Sequence, residues 1–294
     1  MIGETAAVLT AICWAGGSLL FTFAGRRIGS TAVNQIRLWF AFILMIPLHR
    51  IMLGSTGPWD AGMERWMWLG LSGFVGYVIG DALLFESFVR IGPRLAMLLM
   101  TAVPIFSALL GFVFLGERLL PLEMAAIAIT IAGIGWVVTE KKRPDATGSK
   151  AAGLGILLGL GGAFGQAAGL LLAKNGLTDG FSAISGNFIR VSVAAISMAV
   201  IMMARGQLVH QFSRLKDRVA ALQLAGASST GPVLGVILSL VAISHAKIGV
   251  AATLMSLSPL VVIPLSAIFL HERITVRAVV GTLIAVAGSV MLFF

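Results

Sequence analysis

The sequence predicts an all-α integral membrane protein of ten transmembrane helices, arranged as two inverted five-helix repeats. Three observations predict it. Of the 294 residues, 58% are hydrophobic and only 11% charged, and mean hydropathy is +1.00, whereas soluble domains carry about 25% charged residues. Apolar runs of about twenty residues recur along the chain, each long enough to cross a bilayer. One such run occurs twice: AMLLMTAVPIFSALLGFVFLGER at 96–118 and AATLMSLSPLVVIPLSAIFLHER at 251–273 agree at nine of 23 positions at an offset of 155. Among the agreements are Met100/Met255, Pro104/Pro259, Glu117/Glu272 and Arg118/Arg273. A membrane segment repeated half a chain apart means two copies of one unit.

The predicted spans are 5–24, 33–53, 66–89, 95–115, 122–139, 152–172, 183–204, 220–242, 250–270 and 277–294. The first repeat covers 1–139, a polar linker 140–151 and the second repeat 152–294. Span 1 follows an apolar N-terminus without the positive flank of a cleaved signal, and its basic pair, Arg26 and Arg27, comes after the run, as in a retained helix. Span 2 carries Arg37 in IRLWFAFI, and span 7 carries Arg190 in IRVSVAAI. Span 3 holds Asp81 and Glu86. Spans 4 and 9 contain the repeated proline and end on Glu-Arg. The linker EKKRPDATGSK at 140–150 is the most polar stretch, as an exposed connector requires. Span 6 aligns with span 1, Gly165 and Gln166 standing where Gly16 and Gly17 stand, and the paired Gly161 and Gly162 read as helix packing. The loop RGQLVHQFSRLKDRV at 205–219 alternates apolar and basic residues, which fits either an interfacial helix or a solvated basic loop.

Five spans per copy is an odd number, so the second copy enters the membrane from the opposite side. Lys and Arg divide unevenly between the faces. The loops after spans 1, 3, 5, 7 and 9 hold fourteen of them and the other face five, with Arg37 and Arg190 inside spans. The positive-inside bias therefore puts the first set in the cytoplasm and both termini outside. Short basic loops beside anionic headgroups also account for the formal net charge of +9, so no nucleic-acid partner is expected. Cys13 is the single cysteine, which excludes an intramolecular disulfide and a thiolate metal cluster. No HExxH, CxxC or GxSxG occurs, and His49, His210, His245 and His271 all lie near span ends without metal-ligand spacing, as snorkelling interface residues do. Neither an enzyme nor a bound cofactor is expected.

Inverted five-helix units, each with a proline-bearing fourth span closing on F-L-x-E-R, resemble the drug/metabolite transporter superfamily. Within it the chain is similar to the ten-helix EamA-type carriers. CWAGGSLLF in span 1, Arg37 and Arg190, VPIFSALLGFVFLGERL and SPLVVIPLSAIFLHERI carry the resemblance, which runs nearly the length of the chain. It implies a basket of helices around a central cavity, working by alternating access, but no particular substrate, because such carriers export amino acids, other metabolites or drugs. The reading is an exporter of small organic solutes from a prokaryotic inner membrane. Many relatives have cytoplasmic termini, so the charge count departs from the commoner pattern. The partners so implied are a small-molecule substrate and the lipid bilayer; the oligomeric state is left open. A passive channel or uniporter pore is the alternative, and an integral-membrane enzyme is disfavoured by the absence of clustered nucleophiles or bases.

Several residues are candidates for chemistry. Asp81 lies about eight residues, or roughly 12 Å, from the end of its span. A carboxylate at that depth costs about 3 kcal/mol unless paired, hydrated or protonated, so it is a functional candidate by default. It would bind a cationic group or a coupling proton, and as a structural residue it would pair with an arginine; Arg37, on span 2, lies close to Glu86 in depth. Glu86, nearer the interface, is the second coupling or ion-pair candidate. Val236 stands where the second repeat would place the counterpart of Asp81, so Arg190 has no aligned acid. It would bind a substrate carboxylate, snorkel to the headgroups, or pair with a carbonyl. An acid in one repeat and a free base in the other would suit a zwitterion. Pro104 and Pro259 are expected to bend spans 4 and 9 and free a carbonyl each, either lining a cavity or as packing kinks. Thr101, Ser256 and Ser258 add hydroxyls there, and Met100 and Met255 add adaptable apolar contacts. The family resemblance places spans 1 and 6 on the cavity, with Trp14 to stack on a ligand or pack, and with Gln166. Glu117-Arg118 and Glu272-Arg273 read as structural helix ends.

Overall fold

A computed structural model describes residues 2–116, 120–139, 149–245 and 254–292. Glu117, Arg118, most of the predicted linker, Lys247 and the start of predicted span 9 fall outside the described residues. Among those described, every regular element is helical, and six helical runs are long and apolar enough to cross a membrane.

Helices α1 (Ile2–Ile28) and α2 (Ser30–Leu53) are joined at Gly29, whose φ of 88° is open to glycine without strain. A continuous run follows: α3 (Met63–Gly73), a π-helical segment Phe74–Gly80, and α4 (Asp81–Leu99). Inside α4 the chain breaks at Gly92, with φ of 83°, immediately before Pro93. This break separates predicted spans 3 and 4. A 3-10 turn, Met100–Ala102, leads into α5 (Val103–Leu115), and α6 (Pro121–Val138) follows.

The second half has α7 (Ser149–Gly176), α8 (Ala183–Ala204), the two-turn α9 (Leu208–Ser213), α10 (Arg218–Ser228), a second π segment Ser229–Gly235, α11 (Val236–His245), α12 (Ser258–Leu270) and α13 (Val276–Met291). From α3 onward the starts repeat at the sequence offset: 63 and 218, 74 and 229, 103 and 258, 121 and 276, each 155 apart. The ends of α5 and α12 repeat too, both turning left-handed, at Gly116 (φ 65°) and at His271 (φ 54°).

Two features differ from expectation. Pro104 and Pro259 occupy the first turn of α5 and α12 rather than the middle of a continuous helix. The irregular turn comes just before them, because a proline cannot donate to the carbonyl four residues back and its ring clashes there, whereas in a first turn the missing N–H costs nothing. His49 does not snorkel. It is buried, with Nδ1 2.7 Å from the Ser55 carbonyl and Nε2 3.0 Å from the Ser185 hydroxyl.

Glycine lets the helices approach closely where the site is built. Helix α7 lies on the first π segment: a Cβ on Gly165 would stand 2.7 Å from the Gly80 Cα, and one on Gly169 3.1 Å from the Gly76 Cα. Gly73 admits the α8 backbone at Arg190 in the same way. The same device joins α6 to α13, where a Cβ on Gly288 would meet the Thr130 amide at 2.5 Å. Contact this close is how apolar helices associate without a hydrophobic driving force between them.

Ion pairs gather the helix ends at two poles. At one, Arg27 Nε contacts Asp217 at 2.9 Å, Arg94 Nε contacts Glu272 at 3.1 Å, and Arg277 donates to the Trp136 carbonyl at 2.7 Å. At the other, Arg65 meets Asp179 at 3.6 Å and stacks on Phe181. The more exposed of these pairs contribute little to stability, about 0–1 kcal/mol each, but all the contacts tie residues of the first half to residues of the second.

Candidate functional site

The first π segment is the centre of a buried polar network. A π turn bonds i to i+5, so its carbonyls are displaced from the regular ladder and open to side chains. Asn34, on α2, donates to the Tyr77 and Val78 carbonyls at 3.2 Å each. Gln166, on α7, donates to the Gly76 carbonyl at 3.3 Å and to Asp81 Oδ1 at 2.5 Å. Arg37 bonds Asn34 Oδ1 through Nε at 3.2 Å and pairs with Asp81 Oδ2 through Nη2. Both side chains of that pair are over 90% buried. Removing one partner of such a pair costs about 3–5 kcal/mol, since the other charge is left uncompensated.

Aromatic rings complete the surroundings. The Arg37 guanidinium lies 4.8 Å from the Phe85 ring centroid, and Phe85 packs on Phe21 and Phe88 in the main apolar cluster. Tyr77 lies between the two arginines, 5.8 Å from Arg37 and 4.5 Å from Arg190, and its hydroxyl donates to Asn187 Oδ1 at 2.7 Å. Arg190 thus crosses from the second half to the first, where the acid missing at Val236 is present as Asp81. Its Nε is buried without a hydrogen-bond partner.

The structure brings Arg37, Asp81, Gln166 and Arg190 together and adds Asn34, Tyr77 and Asn187, which sequence reasoning missed. The glycine spacing Gly73, Gly76, Gly80 just before Asp81 is the signal that marks this place in the chain. Glu86 stands apart: it accepts from Ser30 at 2.5 Å and from Arg90 at 2.7 Å, both half-exposed near the Gly92 break. Arg37 therefore belongs to Asp81 and not to Glu86. Trp14 lies over Gly231 and Gly235 of the second π segment. Met100 precedes α5 and packs on the main core, with Pro104 in that helix's first turn. Met255 and Ser256 precede α12; Met255 packs against the cluster of Ala6, Ala7 and Ala242, and Pro259 is buried in the α12 first turn. A cavity of about 390 Å³ opens at one pole, lined by His49, Ser55, Asp60, Arg65, Asp179 and Ser185 among others, separate from the network. Among the described residues no group of three His, Cys, Asp or Glu side chains is placed to hold a metal ion.

A family model described as the EamA-like transporter family matches residues 1–139 and again 153–294. The chain belongs to that family. It is a multi-pass membrane transporter of the drug/metabolite superfamily, with a small-molecule substrate and lipid as its partners. No curated protein matches the chain. A crystal structure aligns with it at a TM-score of 0.60 and 15% identity, covering 98% of this chain and 95% of that one. That likeness concerns the fold alone. In this EamA-like chain, then, polar and charged side chains of α2, α7 and α8 surround one broken helix inside the apolar body. Such a network is costly in a membrane and is kept where a pathway needs it.

Proposed function

We propose that the chain is a secondary carrier that exports small organic metabolites across a prokaryotic inner membrane by alternating access. In this reading ten spans form two inverted repeats, both termini lie outside, and the solute binds between the halves beside the first π segment. The observation that carries the reading is the network of Asn34, Arg37, Asp81, Gln166 and Arg190 on a helix interrupted within a transporter fold. Irregular backbone at depth is tolerated in membrane proteins where it lines a cavity or is buried in protein, and substrate sites of inverted-repeat carriers use broken helices.

Each residue has a proposed part. Arg190, Gln166 and Tyr77 face the solute. Asp81 and Arg37 form the ion pair that a coupling proton would open, with Glu86 and Arg90 a second pair nearer the surface. Trp14, Met100, Met255 and Ser256 supply adaptable contacts on the remaining spans. Pro104 and Pro259, beside their irregular turns, are the joints about which α5 and α12 move.

Mass spectrometry of the growth medium tests the proposal. Cells overproducing the wild type accumulate at least one metabolite outside relative to cells producing Gln166→Leu at equal membrane abundance. No enrichment by either, relative to cells without the protein, would remove the exporter reading, and equal enrichment by both would remove only the part given to Gln166.

A further inference from the structure

Charge balance at the first π segment points to the class of solute. Asp81 is the only carboxylate among the described residues of the network, and both of its oxygens are engaged, Oδ2 by Arg37 and Oδ1 by Gln166. Gln166 spends its amide on Asp81 and on the Gly76 carbonyl. Arg37 is satisfied by Asp81 and Asn34 and is covered by Phe85. A cationic group arriving here meets no free acid.

Arg190 is in the opposite state. Its guanidinium rests on the face of Tyr77, its Nε is buried and unbonded, and no side-chain hydrogen bond to Arg190 exists among the described residues. Its residue is only partly buried, so the fork can be reached. Two arginines and one aspartate leave an excess of one positive charge. Excess charge in an apolar body calls for a counter-ion, and a planar guanidinium matches a carboxylate through two parallel hydrogen bonds.

We propose that the solute is an organic anion whose carboxylate docks on Arg190 above Tyr77, and that the site offers no ion pair to a cation. This rests on the carrier reading above for its transport role, but the binding is testable without transport. An α-amino acid would bind by its carboxylate, and its ammonium would add nothing.

Tyr77 is the single tyrosine of the chain, so ring-13C-labelled tyrosine gives one NMR signal that reports on Arg190. The full chain in detergent is titrated with acetate replacing chloride at constant ionic strength, then with methylammonium. Acetate shifts the signal saturably and methylammonium leaves it unmoved. Arg190→Gln weakens the acetate response about ten- to hundredfold, the worth of a charge-assisted hydrogen bond. Arg190→Lys, which keeps the charge and loses the fork, weakens it less and serves if the glutamine variant fails to fold. Saturation by methylammonium, no response to acetate, or an acetate response equal in wild type and in either variant would overturn the proposal. Acetate binding without any solute transport would instead remove the carrier reading and leave the anion site standing.

Discussion

The two π segments, Phe74–Gly80 and Ser229–Gly235, are the same backbone device 155 residues apart, and their surroundings have little in common. The first accepts side-chain hydrogen bonds at three carbonyls, those of Gly76, Tyr77 and Val78, and is followed by Asp81. None of the carbonyls of the second accepts one from a side chain among the described residues. It contains Pro232, is followed by Val236 and lies under the Trp14 ring. Thr230 there turns its hydroxyl back on its own helix, to the Gly226 carbonyl at 3.0 Å. Both halves carry the interrupted helix, but among the described residues only in the first do its carbonyls take side-chain donors from neighbouring helices. Arg190 shows the consequence, since it leaves its own half to sit at the other's π segment.

The largest effect separating the two segments comes from the ion pair. Asp81→Ala leaves Arg37 buried and unpaired and is expected to destabilise the protein by about 3–5 kcal/mol. Arg37→Met with Asp81→Leu should recover most of that loss, as read by thermal unfolding in detergent. Placing an acid in the second copy is the reciprocal change. Val236→Asp adds a carboxylate without an arginine partner and should cost about 3 kcal/mol at that depth. Near-wild-type stability for Val236→Asp would mean that the second segment is wetter than its apolar surroundings imply.

Next in size is the removal of donors. Asn34→Leu leaves two π carbonyls without their donor and should cost about 1–3 kcal/mol, whereas Thr230→Val, whose hydroxyl bonds only locally, should cost under about 1 kcal/mol. Packing gives a further contrast. Gly165→Ala drives a methyl against the Gly80 backbone and should lose about 1–3 kcal/mol. Gly231→Ala faces only the Trp14 ring, at 3.7 Å, and should be nearly neutral. The smallest effect lies at the pole. Hydrogen bonds from Arg27 and from the Ala220 and Val219 amides hold the Asp217 carboxyl below its ordinary value of 3.8. A folded value below the unfolded one adds stability above the unfolded value, and that stability fades as pH falls through the folded one. Acid unfolding of Asp217→Asn below about pH 4 should therefore be slightly shallower than that of wild type, with no difference in shape above it.

Much of this was legible in the residues. Long uncharged runs marked the helices, and the repeated proline block carried the offset at which α5 and α12 begin. Asp81 announced itself because a carboxylate inside hydrocarbon needs a partner. The π segments left no such mark: hydropathy is blind to whether a carbonyl is bonded four or five residues on. Gly73, Gly76 and Gly80 are the available clue, since they are where α7 and α8 approach the segment. Asn34 and Asn187 were overlooked because a neutral amide in an apolar run raises no charge penalty. His49 sat at the end of a run and so read as an interface residue, although the Ser55 carbonyl and Ser185, brought in from distant sequence, satisfy it inside. The crossing of Arg190 was equally out of reach, since alignment pairs it with its own half.

Counterflow in proteoliposomes tests the central claim most directly. Vesicles carrying the exported solute inside are given a trace of labelled solute outside, with wild type, Gln166→Leu and Thr230→Val compared. A carrier whose recognition lies at the first π segment gives a transient overshoot of label in wild type and Thr230→Val, and a loss of at least about tenfold in Gln166→Leu. Equilibration without overshoot in wild type would mean a pore, and equal loss in both variants would contradict the division of labour between the two segments.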